Sequence, residues 1–256
     1  MYESSTSFVA LAISDRCLTI TLNRPEAMNA LRPEMLETLA NTFEQAATDE
    51  SLSVIVMRGA GRAFSAGVDL KVLQGINPQA GKIGDLFDQP AERMVKAMQA
   101  LPIPVIAQVH GACFTGALEI ALHCDFIYAT ADTKFGDTHA KFGLRPTWGM
   151  PQTLSRALGM RRAKELSFSA RTFSGTEARE WGLVNEVFEN QETLEAAIGR
   201  LAEQIAANSR AAIAAMRDMY AIAAQELGLI EGLRVENAQS YPAIADTNER
   251  LSGFGR

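Results

Sequence analysis

The chain has 256 residues, 47% of them hydrophobic and 21% charged, with a formal net charge of −6. That length accommodates one large domain, or one domain with an appended helical piece, and a core that needs no disulfide staples. The mildly acidic balance, without a basic or acidic tail, argues against nucleic acid as a partner.

Three cysteines, Cys17, Cys113 and Cys124, lie in apolar stretches, where a free thiol behaves as a small hydrophobe, and imply a reducing compartment. The N-terminus lacks a basic leader region, and no apolar run approaches the roughly 18 residues of a membrane span. The expectation is a cytoplasmic protein that does not enter membranes.

In chain order, Cys17–Leu22 reads as a strand, and Pro33–Thr48 as an amphipathic helix opened by proline, with Met35, Leu36, Leu39 and Phe43 on one face. Val54–Arg58 and Val105–Val109 are apolar strands, and further apolar stretches occur at Phe126–Ala129 and Leu183–Val187. Between Gln74 and Gln89 the glycines, Asn77 and Pro78 leave no period, which reads as a mobile loop. Glu192–Ala224 and Leu229–Ser240 are helical, separated by Gly228. The order is α/β with a helical C-terminal quarter.

Two segments carry chemistry. The first, Gly59 to Leu70, follows a buried strand, and its small residues admit a ligand close to the main chain. Gly67 is able to turn the next N–H toward a cleft; a plain tight turn is the alternative. The second, Val109 to Asp125, passes from a strand through a glycine-bearing turn into an apolar helix starting near Gly116. The first N–H groups of such a helix lack intrahelical partners and suit a developing anion. Glu119, three residues on, is costly to bury on this apolar helix unless it is paired or used. A solvated carboxylate on the helix edge is the alternative.

These segments, in this order and about fifty residues apart, resemble the crotonase family, whose best-known members are enoyl-CoA hydratases. Asn23–Leu31 is similar to the family's early signature, Arg62–Leu70 and Gly111–Asp125 to its two oxyanion segments, and Ala178–Asn185 to a later stretch ending in Gly-Leu-Val-Asn. The resemblance implies a spiral of ββα units over residues 1–195, with a helical trimerisation region over 196–256. It implies oxyanion donors at the N–H groups of Val68 and Gly116, and a catalytic Glu119. It also implies acyl-CoA contacts from Arg24, Ala27, Ala66, Gly67, Asp69, Leu70, Thr115 and Leu144. No metal or redox cofactor is expected beyond the coenzyme A of the substrate, and the assembly implied is a homotrimer or a dimer of trimers.

One position departs from the pattern. Hydratases of this family usually carry a second glutamate after a Phe-Gly pair, and here the matching residue is His139 in Phe135-Gly136-Asp137-Thr138-His139. Imidazole is able to give or accept a proton near neutrality, and in an extended segment Asp137 would lie on the same face and orient it. A surface histidine beside a turn aspartate is the alternative.

His110 reads as structural, a Glu119–His123 contact is open, and Phe142, Leu144, Trp148 and Met150 fit either an acyl pocket or the core. Hydration of a 2-enoyl-CoA is the leading expectation. Enoyl-CoA isomerisation, acyl-CoA hydrolysis and non-catalytic acyl-CoA binding are the alternatives.

Overall fold

The computed structural model describes residues 2–252. Its main sheet has six strands in the order β1 (Val9–Ser14), β2 (Cys17–Leu22), β3 (Val54–Gly59), β4 (Val105–Val109), β6 (Phe126–Thr130) and β9 (Glu186–Phe188). Only the β1–β2 hairpin is antiparallel; every other neighbour pair is parallel. A three-stranded sheet of β5 (Ala112–Phe114), β7 (Lys134–Gly136) and β8 (Phe173–Ser174) forms a second wall.

Covering both faces of a parallel sheet requires apolar side chains on both sides of each strand. In β3, Ile55 and Met57 join the large core beneath α1 (Pro33–Thr48) and α3 (Asp85–Ala100), whereas Val54 and Val56 face α8 (Gln191–Ala206) through Leu194, Ile198 and Ala202. β4 alternates likewise: Val105, Ala107 and Val109 point one way and Ile106 the other. The two sheets join where β4 turns at His110-Gly111 into β5, which runs into α4 (Gly116–His123). Parallel bridges Leu31–Val68 and Ser65–Cys113 bind successive turns of the spiral side by side. This stacking brings residues distant in sequence to one cleft.

Several boundaries differ from expectation. The segment read as a loop is largely helical: α2 spans Leu70–Ile76, and α3 begins at Asp85, leaving only residues 77–84 irregular. Asp69 caps α2 by accepting from Lys71 N at 2.9 Å, and seven residues are too few to display a period. Pro90 disguises the start of α3 because it lies inside the helix rather than at its first turn. Of Leu183–Val187, only the end is strand; Leu183 and Val184 are buried in the preceding turn.

The C-terminal helix expected over Glu192–Ala224 is two, α8 and α9 (Arg210–Ala223), the second capped by Ser209. Residues 195 and 196 lie inside α8, so the helical region begins at Gln191; residues 253–256 of the expected 196–256 region lie outside the described residues. α10 (Leu229–Ala238) exposes Leu229, Ile230 and Leu233. Among the described residues no helix is long and apolar enough to cross a membrane.

Candidate active site

The cleft is a cavity of about 270 Å³ between α2, α4 and the segment after β7. In the Leu31–Val68 bridge, Leu31 N donates to Gly67 O at 2.8 Å and Asp69 N donates to Leu31 O at 2.9 Å. A parallel bridge of this kind directs the N–H of the intervening residue, Val68, to the opposite side. The turn depends on Gly67, whose φ is +89°, and a Cβ there would lie 2.2 Å from Thr115 Oγ1.

The other segment uses the same device without glycine. Thr115 sits at φ 46°, ψ −116° just before α4, a strained backbone state for a residue bearing Cβ. It makes no side-chain cap and instead lines the cavity. Gly116 is the first residue of α4, so its N–H has no intrahelical acceptor.

Glu119 is one turn further on and only 1% exposed. Its Oε1 accepts from Trp148 N at 3.0 Å and Met150 N at 3.1 Å, leaving Oε2 to face His139 Nε2 at 3.6 Å. Burial pushes its carboxyl up to about 7, against the opposing pull of the His139 ring and the two backbone donors, with Asp137 adding to the rise. A side chain in this condition exchanges a proton near neutral pH.

His139 and Asp137 pair as foreseen, but by a different route. The chain leaves the strand at Gly136, and His139 has helical φ/ψ at the start of a short 3-10 turn, Ala140–Phe142. Asp137 Oδ1 accepts from His139 N at 3.3 Å and contacts its Nδ1 at 2.6 Å, so a turn, not an extended face, joins them. Burial raises Asp137, but the bonds from His139 and Ser167 outweigh it and hold the carboxyl below its ordinary range. Asp137, His139 and Glu119 form one buried row.

Of the other residues singled out by sequence, Ala66, Val68, Leu70, Thr115 and Leu144 line the cavity with Glu119 and His139. Gly67 and Gly116 act through backbone. Arg24 and Asp69 are turned to each other, 2.6 Å apart, and Arg24 also donates to Ala30 O; Ala27 ends the adjoining 3-10 turn. The Arg24–Asp69 pair ties the early segment to the first oxyanion segment, and none of the three lines the cavity wall. Phe142 and Trp148 line the cavity, and Met150 is buried in the core. His110 Nε2–H donates to Gly61 O at 2.9 Å, consistent with a structural role, and His123 Nε2–H donates to Trp148 O at 2.7 Å. His123 and Glu119 thus hold the same 148–150 segment.

Sequence reasoning missed Leu73, Ile83, Phe114, Thr138, Lys141 and Thr172 in the wall. Ile83 fell in the segment read as a loop and Leu73 lies just before it, and Thr172 comes from a distant connection that carries no local signal.

Residues 12–254 match the family model described as enoyl-CoA hydratase/isomerase. The chain belongs to the enoyl-CoA hydratase/isomerase family. It is 37% identical to a probable enoyl-CoA hydratase of Rhizobium meliloti, over 92% of this chain and 90% of that protein. Identity to the 2,3-dehydroadipyl-CoA hydratase of Escherichia coli is 35%, covering 93% and 91% of the respective chains. Among solved structures, an enoyl-CoA hydratase from Bacillus anthracis superposes with a TM-score of 0.86 at 30% identity, covering 96% of this chain and 94% of that one. The spiral α/β fold is therefore that of an enzyme of this hydratase/isomerase family.

Proposed function

We propose that this enzyme adds water to a 2-enoyl-CoA, with the thioester oxygen held by the N–H groups of Val68 and Gly116. The observation that carries the reading is the buried row Asp137–His139–Glu119 beside those two donors. Nucleophilic addition at Cβ places negative charge on the thioester oxygen, and each preorganised donor stabilises such charge by about 3 kcal/mol.

Glu119, as carboxylate, takes a proton from water as the oxygen attacks Cβ. His139, its ring held at Nδ1 by Asp137, gives an Nε2 proton to Cα as the enolate collapses. Transfer from Glu119 to His139 across the 3.6 Å gap then restores both groups. One water enters, one proton reaches Cα, and the enzyme returns to its starting state. The scheme calls on no cofactor beyond the coenzyme A of the substrate.

Glu119 shares the cavity wall with Thr115, Thr138, His139 and Lys141, polar groups able to hold a water, which favours hydration over isomerisation. Loss of enoyl absorbance from crotonyl-CoA tests the reading. Turnover that disappears in Glu119→Gln supports it; tight binding with no turnover by the unaltered protein refutes it.

The exposed apolar residues of α10 support a homotrimer or dimer of trimers, to be measured by light scattering. The free thiols of Cys17, Cys113 and Cys124 support a reducing, cytoplasmic setting.

A further inference from the structure

We infer that Trp148, pinned by Asp88, closes the acyl end of the cavity and restricts the enzyme to short, compact acyl groups. The inference rests on the acyl-CoA reading above and adds the size of the acyl group.

Trp148 is 5% exposed, and its six-membered ring lies against Gly116. A Cβ on Gly116 would be 2.5 Å from Cζ3 and 3.2 Å from both Cε3 and Cη2. The indole therefore stands directly beside the donor assigned to the thioester oxygen.

Every polar group of Trp148 is engaged. Its backbone N–H goes to Glu119, its carbonyl to the His123 ring, and its indole N–H donates to Asp88 Oδ1 at 3.2 Å. The same Oδ1 accepts from Thr147 Oγ1 at 2.7 Å. Asp88 comes from the first turn of α3, which packs beside α4. A flat ring held at its backbone and at its ring N–H, with its six-membered ring against Gly116, resists swinging aside to admit a longer ligand.

With the thioester oxygen at Val68 and Gly116, and the reacting carbons facing Glu119 and His139, the acyl tail runs toward Leu73, Ile83, Phe114 and Trp148. The whole cavity is about 270 Å³, below the roughly 300–1,000 Å³ of sites for drug-sized ligands. The indole occupies the space that a small residue would leave for further methylenes. Asp88 is a positioning residue: it acts only through the indole.

Saturated acyl-CoAs bind without reacting, so dissociation constants for butyryl-, hexanoyl- and octanoyl-CoA, measured calorimetrically on the full chain, isolate the pocket from the chemistry. In a pocket that accepts them, four added methylenes strengthen binding by about 200-fold. The unaltered enzyme is expected to bind octanoyl-CoA no more tightly than butyryl-CoA. In Trp148→Ala the octanoyl/butyryl preference rises by about tenfold or more. Asp88→Ala, a change at a half-buried position, raises it by a smaller factor, and Asp88→Asn, which keeps an acceptor oxygen, restores the original ratio.

A full methylene increment in the unaltered enzyme, or an unchanged ratio in both Trp148→Ala and Asp88→Ala, overturns the inference. Crotonyl-CoA turnover is followed in parallel. No turnover with the chain-length ratios as expected refutes hydration and leaves the closed end standing; no binding by any acyl-CoA overturns both.

Discussion

Replacing Glu119 by glutamine separates the two consequences of burying a carboxyl group. The difference between its ordinary 4.5 and about 7 in the fold, at about 1.4 kcal/mol per pH unit, amounts to roughly 3 kcal/mol held against the charged form. The folded state keeps this proton where the unfolded chain has released it. Glu119's contribution is therefore full below pH 4.5 and is lost as pH rises through about 7.

Glutamine is neutral throughout and keeps an oxygen for the Trp148 and Met150 N–H groups, although its NH2 then faces His139 Nε2. Glu119→Gln should be more stable than the unaltered protein by about 1–3 kcal/mol at pH 8, with the gain much smaller at pH 5, while turnover falls by about 100-fold or more. Urea unfolding at both pH values, at one protein concentration, measures the first and crotonyl-CoA turnover the second. A gain at pH 5 that equals or exceeds that at pH 8, or a loss at pH 8, would refute the reasoning.

Asp137→Asn should lower kcat by about 10-fold or more by releasing the His139 ring, a loss read from crotonyl-CoA turnover. Because the fold holds Asp137 below its ordinary value, its stabilisation is present above pH 3.8 and is lost as pH falls through the lowered value; the variant should lose stability at pH 7 and far less near pH 2. Gly67→Ala combines φ +89° with a Cβ 2.2 Å from Thr115 Oγ1 and 2.7 Å from Phe114 O. It should cost about 1–3 kcal/mol or more in urea unfolding and reduce turnover together with stability. Asn29 is fully buried, donating to the carbonyls of Ala60, Ala63 and Phe64 and accepting from Arg24 N. Asn29→Ala should cost about 2–3 kcal/mol in the same assay, because it strands several buried partners at once.

Much of the site was legible because each half is local. Gly67 with Val68, and Gly116 with Glu119, announce themselves by small residues after a strand and by a carboxylate on an apolar helix. The Asp137–His139 pair was visible at a spacing of two, although the turn that joins them was not. Trp148 looked equally like core and pocket, since an apolar side chain carries no label for which surface it meets. Asp88 gave no signal: it fell in the segment read as a loop, and its bond to the indole spans sixty residues.

Periodicity and glycine placement are properties of neighbouring residues, so strands β2, β3 and β4, α1, the start of α4 and the turn at Gly67 were legible in the sequence, whereas β1 and the short strands of the second sheet were not. Whether Glu119 is solvated or desolvated depends on what stacks over it. Only the spiral, by bringing the 137–150 segment onto α4 and α3 beside it, decided that the carboxyl is raised, that His139 faces it, and that an indole closes the cavity.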